Sequence, residues 1–111
     1  MDQRIKNKGY KEIDSLLKQI RKRYNPLKII LFGSFARGDY DAYSDIDMLI
    51  VKETDKRFID RIGEVLDMCN YKRQFEPLVY TPQELSDMSK WNFFIKTVLK
   101  EGKVIYERKR Q

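Results

Sequence analysis

This chain predicts a mixed α/β fold: a β-sheet of three to four strands with helices packed on it. Three observations carry the prediction. Apolar runs of strand length alternate with stretches of helical spacing. The link between the second and third runs is long enough for a helical crossover, so those strands can be parallel. The link between the first and second is short, and Gly33-Ser34 can meet Asp45 only if those two strands are antiparallel. The 111 residues show no internal repeat or low-complexity linker and are expected to form one domain, 1–111.

The elements follow in order. Ile13, Leu16, Leu17, Ile20 and Tyr24 recur at helical spacing, so residues 9–24 are expected to be an amphipathic helix that ends at Asn25-Pro26. "LKIILF" (27–32) reads as a buried strand, punctuated by Gly33, after which Ser34 is expected to cap a short helix at 34–38. "DIDMLIV" (45–51) is a second strand. Phe58, Ile62, Val65, Leu66 and Cys69 share one face of a helix over 56–69. "RQFEPLVYT" (73–81) is a third strand, in which Pro77 indicates an edge or a bulge. Thr81-Pro82-Gln83-Glu84 has the form of a helix start: cap, proline at the first position, glutamate at the third. A last helix over 89–100 is stopped by Gly102, "KVIYE" forms a short final strand, and "RKRQ" is expected to fray. Trp91, Phe94, Ile95 and Val98 form an apolar stripe expected in the core.

Composition narrows the chemistry. There is no histidine, which excludes Ser-His-Asp catalysis, histidine bases and the usual zinc sites. The single cysteine, Cys69, allows no internal disulfide, so a reducing, cytoplasmic setting is expected. No apolar run approaches a membrane span, and the N-terminal stretch lacks the apolar core of a signal peptide. A net charge of +6 favours anionic partners without choosing among them. "KQIRKR" (18–23) is the one basic patch and reads as a solvated helix face, so nucleic acid is not the expected partner. Any catalysis must use carboxylates, hydroxyls, lysines, arginines and backbone.

Two carboxylates open the second strand. Asp45 and Asp47 share a face roughly 7 Å apart, since side chains alternate along a strand. Left unpaired there, they repel and cost desolvation. Cations relieve both penalties, and oxygen-only donors suit magnesium, or manganese. The ordinary explanation of an isolated D-x-D is a turn at Asp45 and an arginine partner for Asp47. That of Gly33-Ser34 alone is a strand-to-helix turn. Together they are more specific, because a glycine, a hydroxyl and a helix start can cradle phosphate. Asp39 and Asp41 read as surface turn residues, and Arg37 either contacts phosphate or pairs with an acid.

Gly33-Ser34, ten residues, then Asp45-Ile46-Asp47 resembles the G-S-x(10)-D-x-D signature of the DNA polymerase beta-type nucleotidyltransferase superfamily. "GSFARGDYDAYSDIDMLIV" looks most like its smallest members, the minimal nucleotidyltransferases, over a core from about Leu27 to Leu85. The resemblance implies the nucleotidyltransferase fold, with ATP as substrate and two Mg2+ ions (Mn2+ as an alternative) held by Asp45 and Asp47. It also implies that Gly33, Ser34 and Arg37 line the nucleotide. Family members complete the metal site with a third acid on a later strand, a place matched here by Glu76. Minimal members usually carry aspartate there, so Glu76 is a departure, although some antibiotic-modifying relatives use glutamate. A solvent-facing edge-strand role for Glu76 stands beside this. Minimal members are often paired with a helical protein of the HEPN class, which they adenylylate as antitoxins. The implied function is a protein adenylyltransferase and antitoxin with a HEPN-type partner. A non-catalytic binding module and a small-molecule nucleotidyltransferase are the competing readings. Weak magnesium-nucleotide binding beside tight partner binding would mark the first, and transfer to a soluble acceptor the second.

Overall fold

The computed structural model describes residues 3–109. Helix α1 (Gln3–Tyr24) leads into strand β1 (Lys28–Phe32), the single-turn α2 (Ser34–Arg37) and strand β2 (Ile46–Val51). Helix α3 (Phe58–Met68) crosses to β3 (Phe75–Tyr80), followed by α4 (Pro82–Met88), α5 (Phe93–Glu101) and β4 (Lys103–Glu107). The sheet order is β3-β2-β1-β4. β2 runs parallel to β3 through the α3 crossover, as the connection length allows, and antiparallel to β1, as a meeting of Gly33-Ser34 with Asp45 requires. β4 closes the other edge antiparallel to β1.

Each face of the sheet has its own core. Ile29, Leu31, Ile46, Met48, Ile50, Phe75 and Val79 point toward α1 and α3, where Ile13, Leu16, Ile20 and Val65 meet them. Ile30, Leu49 and Val51 point the other way, onto Ile95 and Val98 of α5. Period-2 alternation in the strands and helical spacing in α1 and α3 are therefore the same fact seen from two sides. Arg61 on α3 is 5% exposed, and its charge is matched by Glu84 of α4 at 2.7 Å and by the carbonyls of Lys56 and Val79. Glu84 also completes a capping box with Thr81 at the start of α4.

Several boundaries differ from the expected ones, for physical reasons. α1 begins six residues before Gly9, which does not mark a boundary but lies inside the helix, where a Cβ would stand 2.7 Å from the Phe35 ring. Ser34 does not cap α2: Gly33 holds the cap position, and Ser34 is the first helical residue with no capping bond. The last helix starts at Phe93 rather than 89, because the Asn92 side chain accepts from the Ile95 amide at 3.0 Å. Gly102 ends it through lack of room, not through a left-handed backbone. Its φ is −69°, and a Cβ there would lie 2.6 Å from Ile30 Cγ2. Pro77 does sit on an edge strand. Of "RKRQ", Arg108 is pinned, its amide donating to the Leu27 carbonyl at 2.8 Å and its guanidinium to the Asn25 carbonyl. Residues 110–111 lie outside the described part.

The apolar stripe divides. Ile95 and Val98 are core, but Trp91 is 69% exposed and Phe94 47%. Half of "KQIRKR" is also not simply solvated. Gln19 exchanges hydrogen bonds with Asn70, Arg23 donates to the Met68 carbonyl, and Arg21 lies over the Tyr106 ring.

Candidate active site

Antiparallel β1–β2 and parallel β2–β3 bring the C-terminal end of β1 and the N-terminal ends of β2 and β3 to one edge of the sheet. In one row across that edge, Phe32 pairs with Asp47 and Asp47 with Glu76. All three point to the α4–α5 face, because the alternate positions Ile46, Met48 and Phe75 are buried on the other. Asp45 immediately precedes β2, one side-chain repeat from Asp47.

Asp47 carries the strongest electrostatic signal. Its pKa is pushed up to about 7, first by burial, then by the neighbouring Glu76 carboxylate, which shares a hydrogen bond with it, and then by the charge of Asp45. The Arg37 charge acts against this but does not cancel it. Among the described residues no arginine or lysine forms an ion pair with Asp47. The ordinary explanation of an arginine-paired Asp47 therefore does not hold. Arg37 pairs instead with Asp39, its Nε 3.3 Å from Oδ2 on the surface. Glu76 is exposed on its edge strand and in register with Asp47 at the same time, so the two readings of its position coincide.

Gly33 bends the chain over the carboxylate. Its φ of 75° and ψ of −155° belong to a region essentially reserved for glycine. A Cβ there would stand 2.3 Å from Asp47 Oδ2, so the loop lies directly on the acid. The Gly33 carbonyl accepts from the amides of Ala36 and Arg37 at 3.1 and 3.0 Å. The first-turn amides of Ser34 and Phe35 have no intrahelical acceptor.

The intervening loop is held in part by its own polar atoms. Asp41 Oδ1 accepts from the Tyr43 amide at 2.8 Å and the Ser44 hydroxyl at 3.2 Å, a turn role as expected. One residue that the sequence reading missed stands under this loop. Arg73 Nη1 donates to the carbonyls of Asp41, Ala42 and Ser44, and its Nε to Glu12 at 3.1 Å. Nothing in "YKRQFEP" distinguishes Arg73 from Lys72, since its loop partners lie 29 to 32 positions away.

Two grooves of about 650 and 800 Å³ lie elsewhere, one along α1 beside Asn70 and Tyr71, the other by Asn25, Lys28 and Arg108. Neither is lined by Asp45, Asp47 or Glu76. Among the described residues no three acids converge tightly enough to cage an ion by themselves. Magnesium does not require this, because it is commonly held by one or two carboxylates with substrate phosphates and water completing the shell. The side-by-side Asp47 and Glu76, with Asp45 close enough to raise the Asp47 pKa, fit that donor set.

The model of the polymerase beta nucleotidyltransferase family matches residues 14–111. The chain belongs to this family. Among its relatives is a Methanocaldococcus jannaschii protein, MJ0604, named a "putative protein adenylyltransferase". It is 38% identical over 104 residues, covering 89% of this chain and 96% of the relative. MJ1305 of the same organism, under the same name, is 34% identical, covering 86% of this chain and 70% of the relative. Two solved structures share the fold. A "putative nucleotidyltransferase" of Sulfolobus solfataricus superposes with a TM-score of 0.63 at 24% identity, over 88% of this chain and 79% of that one. Spectinomycin adenyltransferase AAD(9) of Enterococcus faecialis does so with a TM-score of 0.57 at 16% identity, over 91% of this chain and 57% of that one. The nucleotidyltransferase fold expected from the G-S-x(10)-D-x-D signature is thus the fold observed. No described helix is long and apolar enough to cross a membrane.

Proposed function

We propose that this chain, as one nucleotidyltransferase domain over 1–111, transfers AMP from ATP to a hydroxyl on a protein partner. The observation that carries the reading is the Asp47–Glu76 pair in register beneath the Gly33 loop, two carboxylates crowded against each other with no basic ion-pair partner among the described residues. Asp45, Asp47 and Glu76 hold the metal ions, Mg2+ or Mn2+. Gly33, the Ser34 hydroxyl and the loop amides receive the outer phosphates, and Arg37 exchanges Asp39 for phosphate. When bound, the divalent ions neutralise charge on the reacting phosphate and on the leaving pyrophosphate.

The acceptor oxygen attacks the α-phosphorus. A new O–P bond forms, the bond from that phosphorus to the bridging oxygen breaks, and pyrophosphate departs. The acceptor's proton passes to Glu76 or to solvent. Positioning and electrostatics supply most of the rate in such chemistry. The chain's own share is a row of acids in register and a glycine whose backbone conformation brings the loop onto them.

A protein acceptor is supported by the names of the relatives and by the surface beside the site. Phe94 meets Phe32 edge-on at 5.8 Å, and Phe32 is the strand neighbour of Asp47. Trp91 and Phe93, three and one positions before Phe94, are 69% and 83% exposed. The same stretch of chain carries exposed Lys90, Lys96, Lys100 and Lys103 against exposed Asp87 and Glu101, a basic excess that suits an acidic partner with an apolar anchor. We assign the partner to the HEPN class and the role to an antitoxin, in the cytoplasm, on the resemblance to the minimal nucleotidyltransferases. Mass spectrometry of the protein with magnesium-ATP, with and without its genomic neighbour, tests this. Gain of one AMP on the neighbour is the expected result. Efficient transfer to a free small molecule without any protein partner would overturn it.

A further inference from the structure

Arg73 is 11% exposed and directs Nη1 at main-chain oxygens just before Asp45 in sequence. Nη1 reaches the carbonyls of Asp41, Ala42 and Ser44 at 3.2, 2.9 and 3.1 Å. Ser44 is the residue before Asp45. The residue after it, Ile46, donates its amide to the Gln74 carbonyl at 2.8 Å. The Asp45 backbone is thus held on both sides by two consecutive residues, Arg73 and Gln74, which themselves lead into Glu76. Arg73 also lies over the ring of Phe35, in the helix that follows Gly33-Ser34, 5.3 Å from its centroid. Its Nε is anchored by Glu12 of α1, whose side chain is 19% exposed.

We infer that Arg73 is a positioning residue: it fixes Asp45 relative to Asp47, Glu76 and the Gly33 loop, and so sets the affinity of the acidic site for a divalent ion. The inference rests on the metal-binding reading given above. Its physical basis is a carbonyl-rich loop that has no secondary structure of its own and needs a buried donor to hold one shape. The fork of the guanidinium matters as much as its charge. Nε and Nη1 serve α1 and the loop simultaneously, which a single lysine ammonium cannot do. Groups that orient metal ligands from behind typically change affinity 10- to 100-fold when removed.

The test compares wild type, Arg73→Lys and Glu12→Gln, each first checked for an unchanged circular dichroism spectrum. Arg73→Lys keeps the charge and avoids the unfolding that a truncation could cause. Amide hydrogen exchange without metal reads the loop, and electron paramagnetic resonance of free Mn2+ with ATP reads the site. In Arg73→Lys the amides of Tyr43, Ser44 and Ile46 should exchange at least tenfold faster, with Leu49 and Ile50 unchanged. Mn2+ should bind about tenfold more weakly. Glu12→Gln, which leaves the loop carbonyls their donor, should fall between Arg73→Lys and wild type. Unchanged loop exchange, or a loosened loop with unchanged Mn2+ affinity, overturns the inference. If wild type itself fails to retain Mn2+, the metal-binding reading falls, and the exchange result alone decides whether Arg73 holds the loop.

Discussion

Replacing Asp47 by asparagine should stabilise the metal-free protein, in a pH-dependent way. Folding raises the Asp47 pKa from 3.8 to about 7. Below pH 4 both folded and unfolded chains carry the proton, and the group is neutral toward stability. Between pH 4 and 7 the unfolded chain ionises while the folded one resists, so stability falls as pH rises. Above 7 the penalty is fully present. About three pH units at about 1.4 kcal/mol each set a ceiling near 4 kcal/mol. Partial exposure of the side chain reduces this to about 2 kcal/mol. Asparagine carries no charge to desolvate and can donate to Glu76. Urea unfolding with EDTA should therefore show Asp47→Asn more stable than wild type by about 2 kcal/mol at pH 8 and by less than about 0.5 kcal/mol at pH 4. Magnesium-ATP should reverse the order at pH 8, since only wild type gains from binding. Equal urea midpoints for the two proteins at pH 8 would refute the reasoning, because the cost would not lie in the carboxylate.

Gly33→Ala should lower stability by about 1–3 kcal/mol, because alanine resists the backbone conformation and its Cβ meets Asp47; thermal melting measures this, and nucleotide binding by calorimetry should be lost with it. Glu76→Gln should leave the unfolding free energy from urea titration within about half a kcal/mol of wild type, yet slow nucleotide transfer at least about a hundredfold in a labelled-ATP assay. Glu84→Ala should cost about 2–4 kcal/mol in chemical denaturation, since it strips a buried arginine of its partner and α4 of its capping box. The Arg61 guanidinium holds the Glu84 carboxyl below its usual range, so that contribution should be present at neutral pH and fade as pH falls through the lowered value.

Most of the framework was legible because local rules and global packing agree. Strands of period 2, helices of helical spacing and a capping box at Thr81 each leave a mark within a few residues. The errors fall where a distant atom decides. Gly9 looks like a helix boundary until Phe35 is seen against it, and Gly102 looks like a left-handed stop until Ile30 is. Trp91 and Phe94 share the periodicity of Ile95 and Val98, but Trp91 precedes α5, and Phe94 meets only the last residue of β1, Phe32, edge-on.

The sequence by itself determined that two acids open a strand beside a glycine-serine turn, and that no histidine or disulfide competes with them. It pointed to a mixed sheet as well, since the second link is long enough for a crossover and the first must turn back if Gly33-Ser34 is to meet Asp45. The tertiary structure decided the rest of the site. It set Glu76 beside Asp47, raised the pKa of Asp47, moved Arg37 onto Asp39 and put Arg73 under the loop. These depend on distances between groups far apart in the chain. Charge and hydrogen bonding act through space, and only the packed sheet says which groups are close.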